Sequence, residues 1–185
     1  MTNTALIVID VQNAMVEEAH RKEELLKNIG WLLERARSTE TPIIFMQHDD
    51  DEYEPMMPGE PGWQIHESMA TREDEPVIRK RFSDSFYDTS LEEELRSRGV
   101  GRLIVAGMST EYCVDRRVGA ERGYGVTLAG DAHTTGGDEI REMMGQGFIS
   151  AEQIVARHNF LLGGIHNARP GREIAVRKAS EIEFA

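Results

Sequence analysis

The sequence predicts an α/β protein: a three-layer α/β/α, Rossmann-like arrangement with a mostly parallel six-stranded sheet, in one domain spanning residues 1–185. Three observations lead there. Short apolar runs alternate with segments of helical periodicity, the pattern of repeated βαβ units. The first run, Thr4 to Asp10, is continuous rather than alternating, as in a strand covered on both faces. At 185 residues, with 39% hydrophobic and 29% charged content, the chain can bury one core without staples.

The elements follow in order. After the strand at Thr4–Asp10, a helix is expected over about His20–Arg37, where Leu25, Leu26, Ile29, Leu32, Leu33 and Ala36 recur at helical spacing. A second strand is Pro42–Gln47. The stretch from His48 to about Thr71, with Pro55, Pro58, Pro61, Gly59 and Gly62, reads as a long loop of the kind that shapes a site. Val77–Lys80 is a third strand. Ser90 and Glu93 suggest a capping box for a short helix through Leu91 and Leu95 that stops at Gly99. The fourth strand is Arg102–Gly107, followed by a helix capped by Ser109 or Thr110, and the fifth is Tyr124–Ala129. A helix near Asp138–Gln146, another opened by Ser150 with Gln153 and ended by Gly163 and Gly164, and a sixth strand at Glu173–Arg177 complete the chain.

Composition narrows the partners. With 21 basic and 33 acidic side chains the net charge is -12, which repels phosphate backbones and anionic lipid, so neither nucleic acid nor membrane is expected. No stretch reaches the roughly 20 apolar residues of a membrane helix. The apolar run Ala5–Ile9 has no basic segment before it, as a signal peptide would. A lone cysteine cannot form an intramolecular disulfide. The expectation is a cytoplasmic protein acting on a small molecule, with no cofactor.

Open α/β sheets bind ligands at the carboxyl ends of their strands. Here Asp10 ends the first strand, Lys80 the third, and the fourth leads through Gly107 to Cys113. A carboxylate, an ammonium and a thiol thus fall on one sheet edge. Placed in the first turn of a helix, Cys113 would meet unpaired N–H groups that favour a thiolate, and Lys80 would add to that. Each residue also has a plainer reading: a cysteine packed as a small apolar side chain, an aspartate binding the next turn, a lysine facing water.

Four segments resemble the isochorismatase-like cysteine hydrolases. Ala5–Asn13, with Asp10, Gln12 and Asn13, is similar to their opening motif, and Lys80–Leu91, with Ser85, Phe86 and Thr89, to their lysine motif. Gly107–Val114 resembles the nucleophile motif, and Gly130–Thr135 the end of their fifth strand. The resemblance runs in order from about residue 4 to 165. It implies Asp10 as general base, Lys80 as electrostatic partner and Cys113 as nucleophile of a hydrolase that passes through a thioester. It also implies a cis peptide at Met108–Ser109 and an oxyanion hole from the N–H groups of Ser109 and Cys113.

Nicotinamidases of that superfamily carry an Asp-x-His…His metal site after the second strand. Here the region reads His48-Asp49-Asp50-Asp51 with His66 beyond it, a different spacing, so no metal is expected. The cysteine favours cleavage of an amide or ureide C–N bond over the vinyl ether of isochorismate, which remains the alternative alongside a non-catalytic binding module on the same fold. Gln12, His48, Trp63, Phe86, Tyr112 and His133 are candidates for substrate walls. A nucleotide-binding reading fails, because Val11-Gln12-Asn13-Ala14-Met15 follows the first strand where a glycine fingerprint would be needed. The resemblance further implies a homodimer or homotetramer.

Overall fold

A computed structural model describes residues 3–115, 122–147, 149–163 and 173–184. Its six-stranded sheet comprises β1 (Asn3–Ile9), β2 (Ile43–His48), β3 (Val77–Lys80), β4 (Val100–Met108), β5 (Gly125–Thr134) and β6 (Ile174–Arg177). The order is β3-β2-β1-β4-β5-β6, with every pair parallel. Around it lie α1 (Asn13–Glu17), α2 (Lys22–Ser38), α3 (Leu91–Ser97), α4 (Asp138–Met143) and α5 (Ala151–Gly163). This is the expected fold. Among the described residues no helix is long and apolar enough to cross a membrane.

Successive side chains of a strand point to opposite faces, and in β1 both faces are core. Leu6 and Val8 join Leu25, Ile29, Leu32 and Leu33 of α2. Ala5, Ile7 and Ile9 join Leu91 and Leu95 of α3 and Leu162 of α5. That is why the run is continuous. Each fully buried aliphatic side chain contributes about 1.5–3 kcal/mol, so the α2 stripe alone is a large share of the net stability.

The connection from β2 to β3 has no α-helix, only single turns at Glu54–Met56 and Glu67–Met69. It is nonetheless tied down. Arg37 of α2 forms a two-pronged pair with Glu75 (2.7 and 2.8 Å) and donates to the carbonyls of Met69 and Ala70. Glu75 also accepts from the Arg72 N–H. A partly buried, two-pronged guanidinium pair that also donates to two backbone carbonyls holds a loop that has no α-helix of its own.

Several expectations change. Ser90 makes no side-chain cap; Thr89 takes the role, its Oγ1 accepting from the Leu91 N–H while donating to the Ser85 carbonyl. The Ser150–Gln153 box is present, each side chain bonded to the other's N–H. The helix from Asp138 stops at Met143 rather than Gln146, and β5 runs on to Thr134 rather than ending at Ala129. The pairing of β4 with β5 jumps from Val105–Leu128 to Gly107–His133, so extra residues of β5 bulge out between those points. Gly130 sits in that bulge, where a Cβ would lie 2.6 Å from Val176. Gly164, expected at the end of α5, lies outside the described residues.

Order reverses between β1 and β4, the switch point where such sheets open a crevice. Gly107 makes the approach there possible. Its φ is +123°, and a Cβ would lie 2.0 Å from the Ile9 carbonyl oxygen. Gly99, also at positive φ, has only Asn3 within 4 Å of an added Cβ, at 3.7 Å. Gly107→Ala should therefore cost more than about 3 kcal/mol, and Gly99→Ala only about 1 kcal/mol, in denaturant unfolding. Equal midpoints for the two variants would contradict this packing.

Candidate active site

At the carboxyl edge of the sheet β1, β3 and β4 deliver the three expected groups to one place. Lys80 Nζ lies 2.7 Å from Asp10 Oδ2 and 3.3 Å from Cys113 Sγ. It also donates to the Phe82 carbonyl at 3.2 Å. The side chains of Lys80 and Asp10 are 0% and 2% exposed, so this is a pair taken out of water. Asp10 sits at φ +51°, a left-handed conformation that aspartate tolerates better than most residues. Its second oxygen, Oδ1, is buried without a hydrogen-bond partner. That oxygen is the acceptor with capacity to spare.

Electrostatics assign the resting proton. Burial, then the Asp10 charge, push the Cys113 thiol up to about 12, while Lys80 opposes both. Burial works against the Lys80 charge, but Asp10 and Cys113 outweigh it and hold the ammonium above its usual pKa. The thiolate expected from a helix N-terminus is therefore not the resting form. The described turn that carries the thiol, Thr110–Val114, is a π-turn, and burial is the dominant influence on Cys113 there. Residues 116–121, where the expected helix would continue, lie outside those described.

The turn is fixed on two sides. His133 of β5, 3% exposed, bonds Thr110 Oγ1 through Nδ1 (2.8 Å) and Asn159 Oδ1 through Nε2 (2.9 Å). Asn159 Nδ2 donates to the Gly130 carbonyl, so its Oδ1 must accept, His133 carries its proton on Nε2, and the Thr110 hydroxyl donates to Nδ1. On the other side Glu111 Oε1 accepts from Thr135 Oγ1 at 2.9 Å and from Arg141 Nη1 of α4. Sequence reasoning missed Arg141, Glu111 and Asn159. A buried arginine at 6% exposure announces itself only once its partners are known. Ser109, expected as a cap, makes no side-chain cap, and Thr110 spends its hydroxyl on His133. The Met108–Ser109 peptide is cis.

The six candidate wall residues separate. His48 is at the site, its Nδ1 3.5 Å from Lys80 Nζ, and burial followed by Lys80 lowers its pKa. Gln12 is not a wall. Fully buried, it donates to the His48 and Trp63 carbonyls and accepts from the His48 N–H, joining β1, β2 and the long loop. Phe86 belongs to the core, stacked on Tyr124 at 5.9 Å. His133 is buried in the support described above. Trp63 is half-buried, donating to Asp49 Oδ1, with Arg79 over its ring. Tyr112 is exposed and accepts from Gln146. The acidic loop residues disperse: Asp49 binds Arg79, Asp50 caps the N–H groups of Glu52 and Tyr53, and Asp51 pairs with Arg81.

Comparison with known proteins places the chain. Residues 4–153 match the Isochorismatase domain, and the chain belongs to the isochorismatase family. It is 36% identical to a streptothricin hydrolase of Streptomyces noursei over 71% of this chain and 54% of that protein. It thus spans about half the length of the streptothricin hydrolases it matches, 54% of one and 49% of another. A ureidoacrylate amidohydrolase of Pseudomonas savastanoi is 27% identical, over 73% of this chain and 72% of the relative. A crystal structure of an isochorismatase from Pseudomonas putida superposes with a TM-score of 0.79 at 26% identity, covering 98% of this chain and 90% of the other.

Burial lowers the His133 pKa from 6.5 to about 4. A group whose folded pKa is depressed contributes stability above its unfolded pKa and loses it as pH falls toward the folded one. Between pH 6.5 and 4 the wild type should therefore lose on the order of 3 kcal/mol that a His133→Gln variant does not lose. Histidine NMR should show the Nε2–H tautomer at neutral pH; a His133 midpoint near the unperturbed value would contradict the buried assignment.

Proposed function

We propose that this isochorismatase-family chain hydrolyses a C–N bond in a small amide or ureide through a thioester on Cys113, with Asp10 moving the proton and Lys80 as shared counter-ion. The observation that carries this reading is the position of Lys80 Nζ, 2.7 Å from Asp10 Oδ2 and 3.3 Å from Cys113 Sγ. One proton distinguishes the two anions the site can hold. With the proton on sulfur, Asp10 is the anion beside Lys80; with it on Asp10, the thiolate is. The ammonium faces either, so the proton moves without leaving an unpaired charge buried.

In the first half-reaction the thiol proton passes to Asp10 as Sγ bonds to the substrate carbonyl carbon. The N–H groups of Ser109, which precedes the turn, and of Cys113, within it, are the donors we assign to the oxyanion. One such donor contributes about 10²–10³ in rate. Asp10 then protonates the nitrogen, the C–N bond breaks and the amine leaves. Water enters, gives a proton to Asp10 and its hydroxyl to the thioester carbonyl. The C–S bond breaks, the acid leaves and the proton returns to sulfur. The relatives named for streptothricin hydrolysis and ureidoacrylate amidohydrolysis support this bond class over a vinyl ether.

Cys113→Ala should still unfold cooperatively yet lose at least about 10³ in turnover, and Asp10→Asn about 10²–10⁴. The assay is a panel of small amides and ureides scored by ammonia release, with isochorismate scored by pyruvate. Mass spectrometry of quenched enzyme should find an acyl mass on the sole thiol. Wild-type turnover in Cys113→Ala on the responding substrate would refute the nucleophile.

A further inference from the structure

The register of β2 on β3 sets His48 beside Lys80. Its backbone is fixed there: the His48 N–H donates to Gln12 Oε1 at 2.8 Å, and its carbonyl accepts from Gln12 Nε2 at 3.0 Å. The ring carries Nδ1 to 3.5 Å from Lys80 Nζ. An ammonium has three N–H donors and no acceptor, so Nδ1 must accept and the imidazole proton sits on Nε2. Burial and then Lys80 favour the neutral ring, against Asp10, Asp50 and Asp49.

The three N–H groups of Lys80 are oversubscribed. Among the described residues Nζ has four acceptors: Asp10 Oδ2 at 2.7 Å, the Phe82 carbonyl at 3.2 Å, Cys113 Sγ at 3.3 Å and His48 Nδ1 at 3.5 Å. The carboxylate and the carbonyl are the stronger acceptors and occupy two donors. One N–H remains for a sulfur and an imidazole nitrogen. The imidazole contact is the longest of the four and exceeds the ordinary hydrogen-bond range, as the acceptor left over should.

We propose that His48 is a positioning residue that shares the third N–H of Lys80 with Cys113: sulfur holds that donor as a thiolate, and Nδ1 takes it over once the sulfur is acylated. A thioester sulfur is uncharged and accepts weakly, and a buried N–H left without a partner is costly. With Nδ1 waiting, the ammonium keeps three partners and its aim through both halves of the reaction. The thioester stage rests on the hydrolase reading. The exchange itself needs only Lys80, His48 and the sulfur.

The sole thiol allows a test on the wild-type chain that needs no turnover. Methyl methanethiosulfonate caps Cys113 as a mixed disulfide; the Sγ–S bond forms, methanesulfinate leaves and the thiol proton passes to solvent. The capped sulfur is uncharged, as in a thioester, and dithiothreitol restores the thiol. In nitrogen-15 NMR, capping should move His48 Nδ1 toward the resonance of a hydrogen-bonded acceptor and leave the proton on Nε2. It should also lower the His48 titration midpoint by about one unit, a tenfold loss of proton affinity, and reduction should reverse both changes. In the uncapped protein His48→Leu leaves the third N–H to sulfur alone and should lower the Cys113 midpoint by about one unit. His48→Asn, whose Oδ1 takes the place of Nδ1, should keep it at the wild-type position. A His48 ring that ignores the cap, a Cys113 midpoint that does not fall in His48→Leu, or equal shifts in the two variants would overturn the proposal. Exchange without amide or ureide hydrolysis would sink the thioester reading alone, and hydrolysis without exchange would sink this inference alone.

Discussion

The buried contact between Asp10 and Lys80 is the constraint on which the rest of the structure depends. Removing both charges from water costs several kcal/mol per ion before their attraction is counted, so the pair persists only with close geometry and further donors or acceptors. Lys80 meets that condition with a carboxylate, a sulfur and a carbonyl around one ammonium. Asp10 meets it only in part, with one oxygen on Lys80 and the other unsatisfied. An unsatisfied buried oxygen is a liability for folding and an asset for chemistry. It is a desolvated acceptor on the same carboxylate whose charge, together with burial, pushes the Cys113 thiol pKa up.

The sheet exists around that contact in a definite sense. Lys80 ends β3, which reaches the site only because β2 lies between it and β1. Cys113 reaches it because β4 lies on the other side of β1, brought close by a glycine where any side chain would collide with Ile9. The thiol then rides on a five-residue π-turn that α-helical packing alone would not orient. A neutral histidine from β5 holds one residue of that turn and an arginine from α4 holds the next. The support is polar and buried, and so geometrically specific.

Much of this was legible in the amino acids, for a physical reason. A strand covered on both faces has no polar positions, so Ala5–Ile9 stands out and the carboxylate that ends it at Asp10 stands out more. Lys80 and Cys113 were found by position, one ending a strand and the other following one at the same edge of the sheet. What stayed hidden depends on contacts between distant residues. The β5 bulge that brings His133 opposite Gly107 is a matter of register, which no local pattern encodes. Gln12 and His133 carry the polar groups of a substrate contact, yet both are consumed by buried hydrogen bonds whose partners lie more than 20 residues away.

The central claim is that one ammonium balances a carboxylate and a sulfur in turn, and the most direct measurement is the thiolate absorbance of the sole cysteine as a function of pH. Asp10→Asn should move the Cys113 titration down from its strongly alkaline position toward the ordinary thiol range, and Lys80→Met should keep the thiol protonated to still higher pH than in the wild type. Superimposable titrations in all three proteins would mean that these groups do not share a field, and the account would fail.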